Sequence, residues 1–274
     1  MCPEVELGMG TPREAIRLVE ESGTLRLLGV RSGADHTTSM TAYADNRVKA
    51  LDSENLSGYV LKKDSPSCGM TRVKVHHGAG PATRTGVGLF ARALLARFPN
   101  LPIEDEGRLL DPRLRDNFIE RVFAYRRLRD VFEPRWTMAA LIAFHTAHKL
   151  VLLAHSPTAY RALGRLVAGA KMADRQGMRE RYTTQFMTAL TAIATPQRHT
   201  NVLQHMAGYF KKTVDAGSRA ELQSAIEDYR LGRVPLIVPI TLIRHHVRVH
   251  DVTYLAGQVY LSPDPRELML RNHV

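Results

Sequence analysis

Two cysteines in polar turns are the side chains best suited to bind a metal or to react as nucleophiles. Cys68 lies in the run 65–69, Ser-Pro-Ser-Cys-Gly, directly after the apolar residues 58–61, and Cys2 lies next to a proline. Pro66 fixes its own φ angle and the following glycine permits a tight reversal, so Cys68 is expected in a turn at the end of a strand. This placement is typical of reactive or metal-binding thiols rather than buried ones.

Two thiols cannot close a metal site unaided. Structural zinc needs four ligands, usually in close Cys-x-x-Cys pairs, and the chain has no such pair. Iron–sulfur clusters accept single cysteines that are distant in sequence and converge in the fold. A cluster held by three cysteines, with one iron left open, would give a Lewis-acid site for a sulfur-bearing substrate. This chain has two cysteines, so the third ligand is missing or another residue replaces it. Two incidental thiols are the alternative.

Polar residues beside the cysteines could transfer protons. Glu4 lies two residues from Cys2 and could donate a proton or activate water, or it could be a solvated acid in a turn. Ser65 and Ser67 could hydrogen-bond a substrate or a cluster sulfur. Stabilisation of the turn by their hydroxyls is the alternative, and it is the favoured interpretation of Ser65.

The positive charge is confined to one part of the chain. The net charge is +11, yet residues 1–111 hold 14 basic and 14 acidic residues, whereas residues 112–274 hold 24 and 13. This split favours chemistry in the first part and nucleic-acid binding in the second, with a solvated basic surface as the alternative. The predicted phosphate contacts are Arg126, Arg127, Lys149, Arg161, Arg165, Lys211, Lys212, Arg244 and Arg248.

Short strands and helices alternate over residues 1–111. Strand-like segments are 25–30, 56–61, 71–75 and 101–104, and helical spacing covers 39–51 and 91–98. This order predicts an α/β domain with a mostly parallel sheet. In such sheets ligands lie at the carboxyl ends of strands, which is where the run 65–69 falls.

From Asp111 onward the hydrophobic residues recur every three or four positions. The pattern predicts an all-α bundle of about six or more helices, with a domain boundary that separates 1–111 from 112–274. The predicted helices include 114–128, 141–152, 159–168, 179–192, 202–214, 218–231 and 236–248.

Two further patterns carry weaker signals. Gly86-Val87-Gly88 precedes a helix and predicts a close approach of two backbone segments, but it lacks the third glycine of a dinucleotide-binding motif. The twelve histidines, among them His145, His148 and His199, could assemble a metal site. Interhelical hydrogen bonds and RNA-facing polar groups are the favoured interpretation of these histidines.

The sequence contains no membrane or export signal that can be recognised. No apolar run approaches the roughly 20 residues of a membrane-spanning helix, and the first residues do not resemble a signal peptide. A cytoplasmic location is therefore expected. In that reducing compartment two cysteines favour metal or redox chemistry over a disulfide.

Several separate motifs, in the expected order, resemble a TudS-type thiouracil desulfidase domain fused to a YbgA-type helical domain. The desulfidase-like motifs are 2–5, Gly8, 12–13, 62–69, 72–75, 86–91 and 104–109. The motifs similar to the helical domain are 145–150, 199–205 and 268–273. The resemblance covers nearly the whole chain, and it identifies the family of fused tRNA 4-thiouridine desulfidases.

The resemblance implies a four-iron, four-sulfur cluster held by three cysteines, whose open iron takes the sulfur of the substrate and leaves uridine. Cys2 and Cys68 match two of these ligands, Glu4 matches the acid beside the second cysteine, and Ser65 and Ser67 fall in the motif of the third. The implied partner is tRNA. The alternatives are a free thiouracil as substrate, with the helical domain forming a homodimer, and a non-catalytic RNA-binding protein with a decayed cluster site.

One departure from the family concerns its first cysteine, which lies in an N-terminal Cys-Leu-Leu-Gly-like strand. The chain starts at Met1, directly before Cys2, and lacks that segment. A Rossmann-like sheet without its first strand and a cluster site without one ligand are therefore expected. We therefore expect the chain to bind the cluster weakly or not at all, unless another residue takes the place of the missing cysteine.

Overall fold

The computed structural model describes residues 1–78, 80–133, 135–169 and 174–263, together with 265, 268, 271 and 272. The chain divides into two compact units, Met1–Asp111 and Pro112–Val274. The first unit contains strands and helices and the second contains helices, which confirms the predicted order of an α/β part and a helical part. Met269, Leu270 and His273 of the last motif lie outside the described residues.

The strands of the first unit form two small sheets. The strands are β1 (Ile16–Glu21), β2 (Thr24–Gly29), β3 (Tyr59–Leu61), β4 (Val73–His76), β5 (Thr83–Gly86) and β6 (Ile103–Asp105). One sheet has the order β2-β1-β4-β5, and β3 pairs with β6 in the other. Sequence patterns predicted β2, β3, β4 and β6 but not β1, half of whose residues are charged, or β5, which has no large apolar residue.

The sheet is mixed, which corrects the expectation of a mostly parallel one. The pairs β1–β4 and β3–β6 are parallel, whereas β1–β2 and β4–β5 are antiparallel. Ser22 and Gly23 both have positive φ angles and form the two-residue connection between β1 and β2. A two-residue turn of this kind joins only antiparallel neighbours, so the chain reverses here instead of crossing over through a helix.

Three helices complete the first unit: α1 (Pro3–Glu6), α2 (Thr37–Ala50) and α3 (Leu89–Arg97). Helix α2 buries Met40, Ala44 and Val48, which are spaced four residues apart on one helical face. Met40 and Leu89 pack with residues of β1, β2 and β4 in one core cluster. This packing fixes the start of α3 beside the sheet.

The second unit consists of helices around one large core. The helices are α4 (Pro112–Val131), α5 (Met138–Ala147), α6 (Lys149–His155), α7 (Pro157–Ala168), α8 (Arg175–Thr191), α9 (Pro196–Ala207), α10 (Ala216–Arg230), α11 (Ile237–Val249) and α12 (Thr253–Ala256). Side-chain oxygens of Ser156, Thr195 and Asp215 cap α7, α9 and α10. These caps satisfy backbone N–H groups that have no partner within the helix.

Two helical boundaries differ from the sequence prediction. The helix predicted over 202–214 begins at Pro196, because Thr195 caps it and proline suits the first helical position, and it ends at Ala207. The helix predicted over 141–152 is broken at His148 into α5 and α6, which meet at 54°. Within the described ranges no single helix is long and apolar enough to cross a membrane, and α5 and α6 pass that test only as a bent pair.

Candidate active site

Glu4 lies in the short helix α1, and its carboxylate contacts the loop 65–68. One carboxylate oxygen accepts hydrogen bonds from the hydroxyl of Ser65, at 3.3 Å, and from that of Ser67. The other accepts from Nε of Arg13 at 2.7 Å, and Nη2 of the same guanidinium lies 2.6 Å away. The structure thus brings together the three residues that the sequence suggested for proton transfer, and it adds Arg13 to them.

The two serines of the loop occupy different positions. Ser65 Oγ accepts hydrogen bonds from the backbone N–H groups of Ser67, at 3.2 Å, and Cys68, at 3.1 Å. Its carbonyl oxygen accepts a third bond, from Gly69 N at 2.7 Å. Ser65 therefore holds the turn together. Ser67 is fully buried, and its hydroxyl donates to Glu4, so it is the better-placed hydroxyl for moving a proton.

Helix α3 supports the loop through backbone contacts. Gly88 N donates to the carbonyl of Gly69 at 2.9 Å, and Ala91 N donates to that of Ser67 at 3.1 Å. A Cβ atom on Gly88 would collide with the Ser67 carbonyl and the Cys68 nitrogen. The close approach predicted at Gly86-Val87-Gly88 is confirmed, and only glycine fits at its last position.

Cys68 is buried, contrary to the expectation of an open turn. Only 9% of its surface is exposed, because the loop lies against the start of α3, whereas Cys2 is partly exposed. Burial, together with smaller contributions from the nearby Glu4 and Cys2, raises the pKa of the Cys68 thiol to about 12. The thiol is therefore protonated at neutral pH unless a cation binds to it.

Sequence reasoning assigned no role to two residues near the two thiols, Arg13 and Tyr59. Arg13 Nη2 lies 3.7 Å from the sulfur of Cys2, so one guanidinium contacts both Cys2 and Glu4. Burial, followed by the proximity of Cys68, raises the pKa of Tyr59 to about 12. Tyr59 belongs to a strand that the apolar residues 58–61 predicted. The contact of Arg13 with Cys2 and Glu4 depends on a turn that no local sequence pattern predicts.

The residues of this chain do not complete the ligand set of a three-cysteine cluster. Cys2 and Cys68 are the two cysteines of the sequence, and the proximity of Cys2 contributes to the raised pKa of Cys68. Among the described residues, no group of three or more His, Cys, Asp and Glu side chains is arranged to hold a metal ion. The site offers two thiols, one carboxylate and two hydroxyls. It therefore has one cysteine ligand fewer than the three that the family resemblance implies.

The predicted phosphate contacts of the helical unit fall into two groups. Arg161 and Arg165 are exposed and one turn apart on α7. Lys211, Lys212 and Arg248 are also exposed.

The remaining predicted contacts are more constrained. Arg126 is exposed and pairs with Asp130 at 3.0 Å, and Lys149 is half-buried. Arg127 donates to the carbonyl of Pro263, and Arg244 donates to the backbone carbonyl of Leu261. These last two guanidiniums tie the C-terminal segment to the helices.

A buried polar cluster, unnoticed in the sequence, lies inside the helical unit. The Glu120 carboxylate contacts His155 Nε2 and Arg271 Nη2, each at 3.2 Å. His199 Nδ1 lies 2.7 Å from the Tyr260 hydroxyl. The cluster lines a cavity of about 30 Å³, enough for water but not for a nucleobase. The predicted use of histidines in interhelical hydrogen bonds is confirmed here.

Comparison with known proteins matches both units. Residues 1–106 match the 2-thiouracil desulfurase family, and residues 149–265 match a protein family of unknown function, DUF1722. The uncharacterized protein YbgA of Escherichia coli (strain K12) is 35% identical over 161 residues, which cover 58% of this chain and 95% of YbgA. No solved structure matches the chain significantly. The chain therefore belongs to the YbgA family, and its first unit carries a 2-thiouracil desulfurase-type domain.

Proposed function

We propose that the first unit removes sulfur from a thiolated uracil base, and that its substrate is 4-thiouridine in tRNA. The convergence of Glu4 with Ser67 beside Cys68 carries this proposal. The match of residues 1–106 to the 2-thiouracil desulfurase family supports the reaction class. The excess of basic residues in 112–274 supports a polyanionic substrate.

The reaction exchanges a C=S bond for a C=O bond. One water molecule adds to the carbon, the C–S bond breaks, and sulfur leaves as hydrogen sulfide, so no oxidant or reductant is consumed. Glu4 takes one proton from the water through Ser67 and returns it to the departing sulfur, and the proton of the added hydroxyl passes to the sulfur as the C=O bond forms. Arg13 fixes the orientation of the Glu4 carboxylate through paired contacts at 2.6 and 2.7 Å.

In this proposal Cys2 and Cys68 would supply two of the thiolates that hold a four-iron, four-sulfur cluster. When bound, such a cluster supplies an open iron with affinity for sulfur. Cys68 is buried next to Ser67 in the same loop, so a cation bound to the Cys68 sulfur would displace the thiol proton close to the Ser67 hydroxyl.

The helical unit holds the tRNA in this proposal. Arg161 and Arg165 form an exposed pair on α7, and Arg248 presents a further cation on α11. Contacts of this kind with phosphates make affinity fall steeply with salt. The match of residues 1–106 to the 2-thiouracil desulfurase family favours a second candidate, a desulfidase of free 2-thiouracil. In that case the helical unit serves dimerisation instead.

Parallel assays on two substrates test the proposal. The full chain is reconstituted anaerobically with iron and sulfide, and a small thiol is added to supply the ligand that the chain lacks. Sulfide release per bound iron is then measured with 4-thiouridine-containing tRNA and with free 2-thiouracil. Faster release from the tRNA, lost in Glu4→Gln, supports the first candidate. Release from the free base alone supports the second, and no release from iron-loaded protein contradicts both.

A further inference from the structure

The turn between α10 and α11 brings two arginines of the helical unit to one cavity. Gly232, at a φ of +72°, donates from its backbone N–H to the carbonyl of Tyr229 at 2.9 Å. Arg233 N donates to the carbonyl of Asp228 at 2.8 Å, which completes a Schellman motif at the end of α10. The chain reverses so tightly here that Arg230 and Arg233 both line a cavity of about 500 Å³.

The same cavity collects positive charge from other elements. Arg113, in the first turn of α4, is a third arginine in its lining, and Pro196, the first residue of α9, also lines it. Two helices therefore begin at the cavity, and the positive end of a helix dipole favours an anion. Among the described residues that line the cavity there is no carboxylate.

Two of the three arginines can turn towards a ligand at small cost. Arg230 pairs with Glu227 and Arg233 pairs with Asp228, and the two arginine side chains are 51% and 67% exposed. Exposed ion pairs of this kind contribute little to stability. A guanidinium binds a phosphate through two parallel hydrogen bonds, which is a stronger interaction than a single contact.

Tyr229 places a buried hydroxyl at the charged part of the cavity. The residue is 3% exposed and lines the cavity, and its hydroxyl has no hydrogen-bond partner among the residues that the structure describes. Burial raises the pKa of Tyr229 to about 12, while the guanidiniums of Arg271 and Arg113 act in the opposite direction, so the hydroxyl lies near both. A buried donor without an acceptor is unfavourable, and an anionic oxygen in the cavity would supply that acceptor.

The remaining walls fit the apolar body of a small molecule. Leu231, Val234 and Pro235 line the cavity beside the arginines. Its volume falls within the roughly 300–1,000 Å³ typical of small-molecule pockets. An internal phosphate of an RNA strand has a sugar on either side, whereas a terminal phosphate can enter a recess closed by a buried side chain. The cavity therefore suits a phosphate at the end of a molecule.

We propose that this cavity of the helical unit binds a phosphomonoester, with its dianionic phosphate on Arg113, Arg230 and Arg233 and its organic part against Leu231 and Val234. The inference goes beyond the proposed function and does not depend on it, because every residue of the cavity belongs to the second unit. A free phosphorylated metabolite and the 5′ end of an RNA both carry such a group.

Calorimetry on the full chain at low salt tests the inference without requiring turnover. Phenyl phosphate is the probe, phenol lacks its phosphate, and inorganic phosphate lacks its apolar ring. We expect phenyl phosphate to bind at least about tenfold more tightly than either of the other two.

The variant Arg230→Gln/Arg233→Gln should abolish the preference for phenyl phosphate over phenol. Arg179→Gln/Arg181→Gln is the matched control, since it removes two exposed arginines of α8 that do not line the cavity. The control should retain the preference, because the total charge changes equally in both variants. Equal losses in the two variants would reduce the binding to a general effect of net charge and overturn the site.

Tyr229→Phe separates a ligand-binding hydroxyl from a structural one. The substitution should weaken phenyl phosphate binding about fivefold, the equivalent of one hydrogen bond. The melting temperature without ligand should not fall, because the hydroxyl has no partner to lose among the described residues. Unchanged affinity together with a lower melting temperature would show that the hydroxyl serves the fold, and would remove it from the site.

The remaining outcomes identify the source of the phosphate. Equal affinities for phenyl phosphate and phenol, or binding of neither, would overturn the site and leave the desulfidase assays unaffected. Displacement of phenyl phosphate by 5′-phosphorylated tRNA, but not by dephosphorylated tRNA, assigns the site to an RNA end. Displacement by neither assigns it to a free metabolite. Equal displacement by both would mean that internal phosphates occupy the cavity, which contradicts a phosphomonoester site.

Discussion

Glu4 and Ser67, which lie 63 residues apart in the sequence, share a hydrogen bond in which the serine hydroxyl donates to the carboxylate. Arg13 holds the other oxygen of the same carboxylate. The acid is therefore fixed between a cation and a buried hydroxyl, next to a loop that also contains Cys68. In the proposed mechanism, this arrangement would place a proton carrier and a thiol beside the same substrate.

The two serines of the loop should respond differently to removal of their hydroxyls. Ser67→Ala should lower the desulfidation rate by about 100-fold or more, because its hydroxyl connects Glu4 to the substrate. Ser65→Ala should instead destabilise the unit by about 1 kcal/mol, because two backbone N–H groups lose their acceptor. Rates and thermal unfolding of both variants measure this. A larger loss of rate in a stable Ser65→Ala protein would reverse the assigned roles.

Gly88→Ala should displace the loop that carries Ser67 and Cys68. The added methyl group has no space beside the Ser67 carbonyl, so we expect lost activity and a lower melting temperature of the first unit. Gly164→Ala is the matched control, because a Cβ at Gly164 meets nothing within 4 Å and lies inside α7. That control should stabilise the protein by up to about 1 kcal/mol. Wild-type activity in Gly88→Ala would contradict the close approach.

The helical unit should lose stability as the pH falls from about 6.5 towards 4. Burial lowers the pKa of His148 to about 4 and that of His199 to about 3, whereas a histidine in an unfolded chain titrates near 6.5. Above pH 6.5 neither state binds these protons. Below it only the unfolded chain does, which costs about 2 kcal/mol of stability per histidine at pH 5.

Urea unfolding followed by far-ultraviolet circular dichroism at about pH 7.5 and 5 measures this loss. His148→Phe should weaken the pH dependence, since it removes a titrating group from a site packed against Phe144 and Phe186. The exposed His205 provides the control, because His205→Gln should leave the dependence unchanged. Equal stability of the wild type at both pH values would show that these histidines are not buried in the neutral form.

Removing the Glu120 carboxylate should destabilise the helical unit strongly. Glu120→Gln leaves Arg271 buried without its counter-charge, and breaking a buried pair in this way costs about 3–5 kcal/mol. Glu227→Gln is the control, since it breaks an exposed pair with Arg230 and should cost less than about 1 kcal/mol. Chemical unfolding measures the free energy of unfolding that each variant loses relative to the wild type. Similar small losses would mean that the cluster around Glu120 is hydrated rather than buried.

Local patterns predicted the parts of this fold that depend on neighbours in sequence. The recurrence of apolar residues every three or four positions predicted the helices after Asp111. The glycines before α3 predicted a close approach of two backbone segments. Sequence patterns did not predict the hairpin of β1 and β2, because half of the residues of β1 are charged and two of them, at the end of the strand, are adjacent.

Contacts between distant segments could not be read from the sequence. Glu120 and Arg271 lie 151 residues apart, and no spacing rule connects a mid-helix acid with an arginine near the C-terminus. Burial of Cys68 likewise depends on how α3 packs over the loop. The sequence could suggest which side chains are reactive, but only the packing decides which of them meet.

Sulfide release from 4-thiouridine in tRNA decides whether Cys2, Glu4, Ser67 and Cys68 form an active centre. The wild-type chain, reconstituted with iron, sulfide and a small thiol, should release sulfide and leave uridine, with turnover expressed per bound iron. Cys68→Ala should abolish iron binding and turnover while tRNA binding persists. Iron-loaded wild-type protein that leaves 4-thiouridine intact, or a Cys68→Ala variant that still removes the sulfur, would contradict the proposed desulfidase.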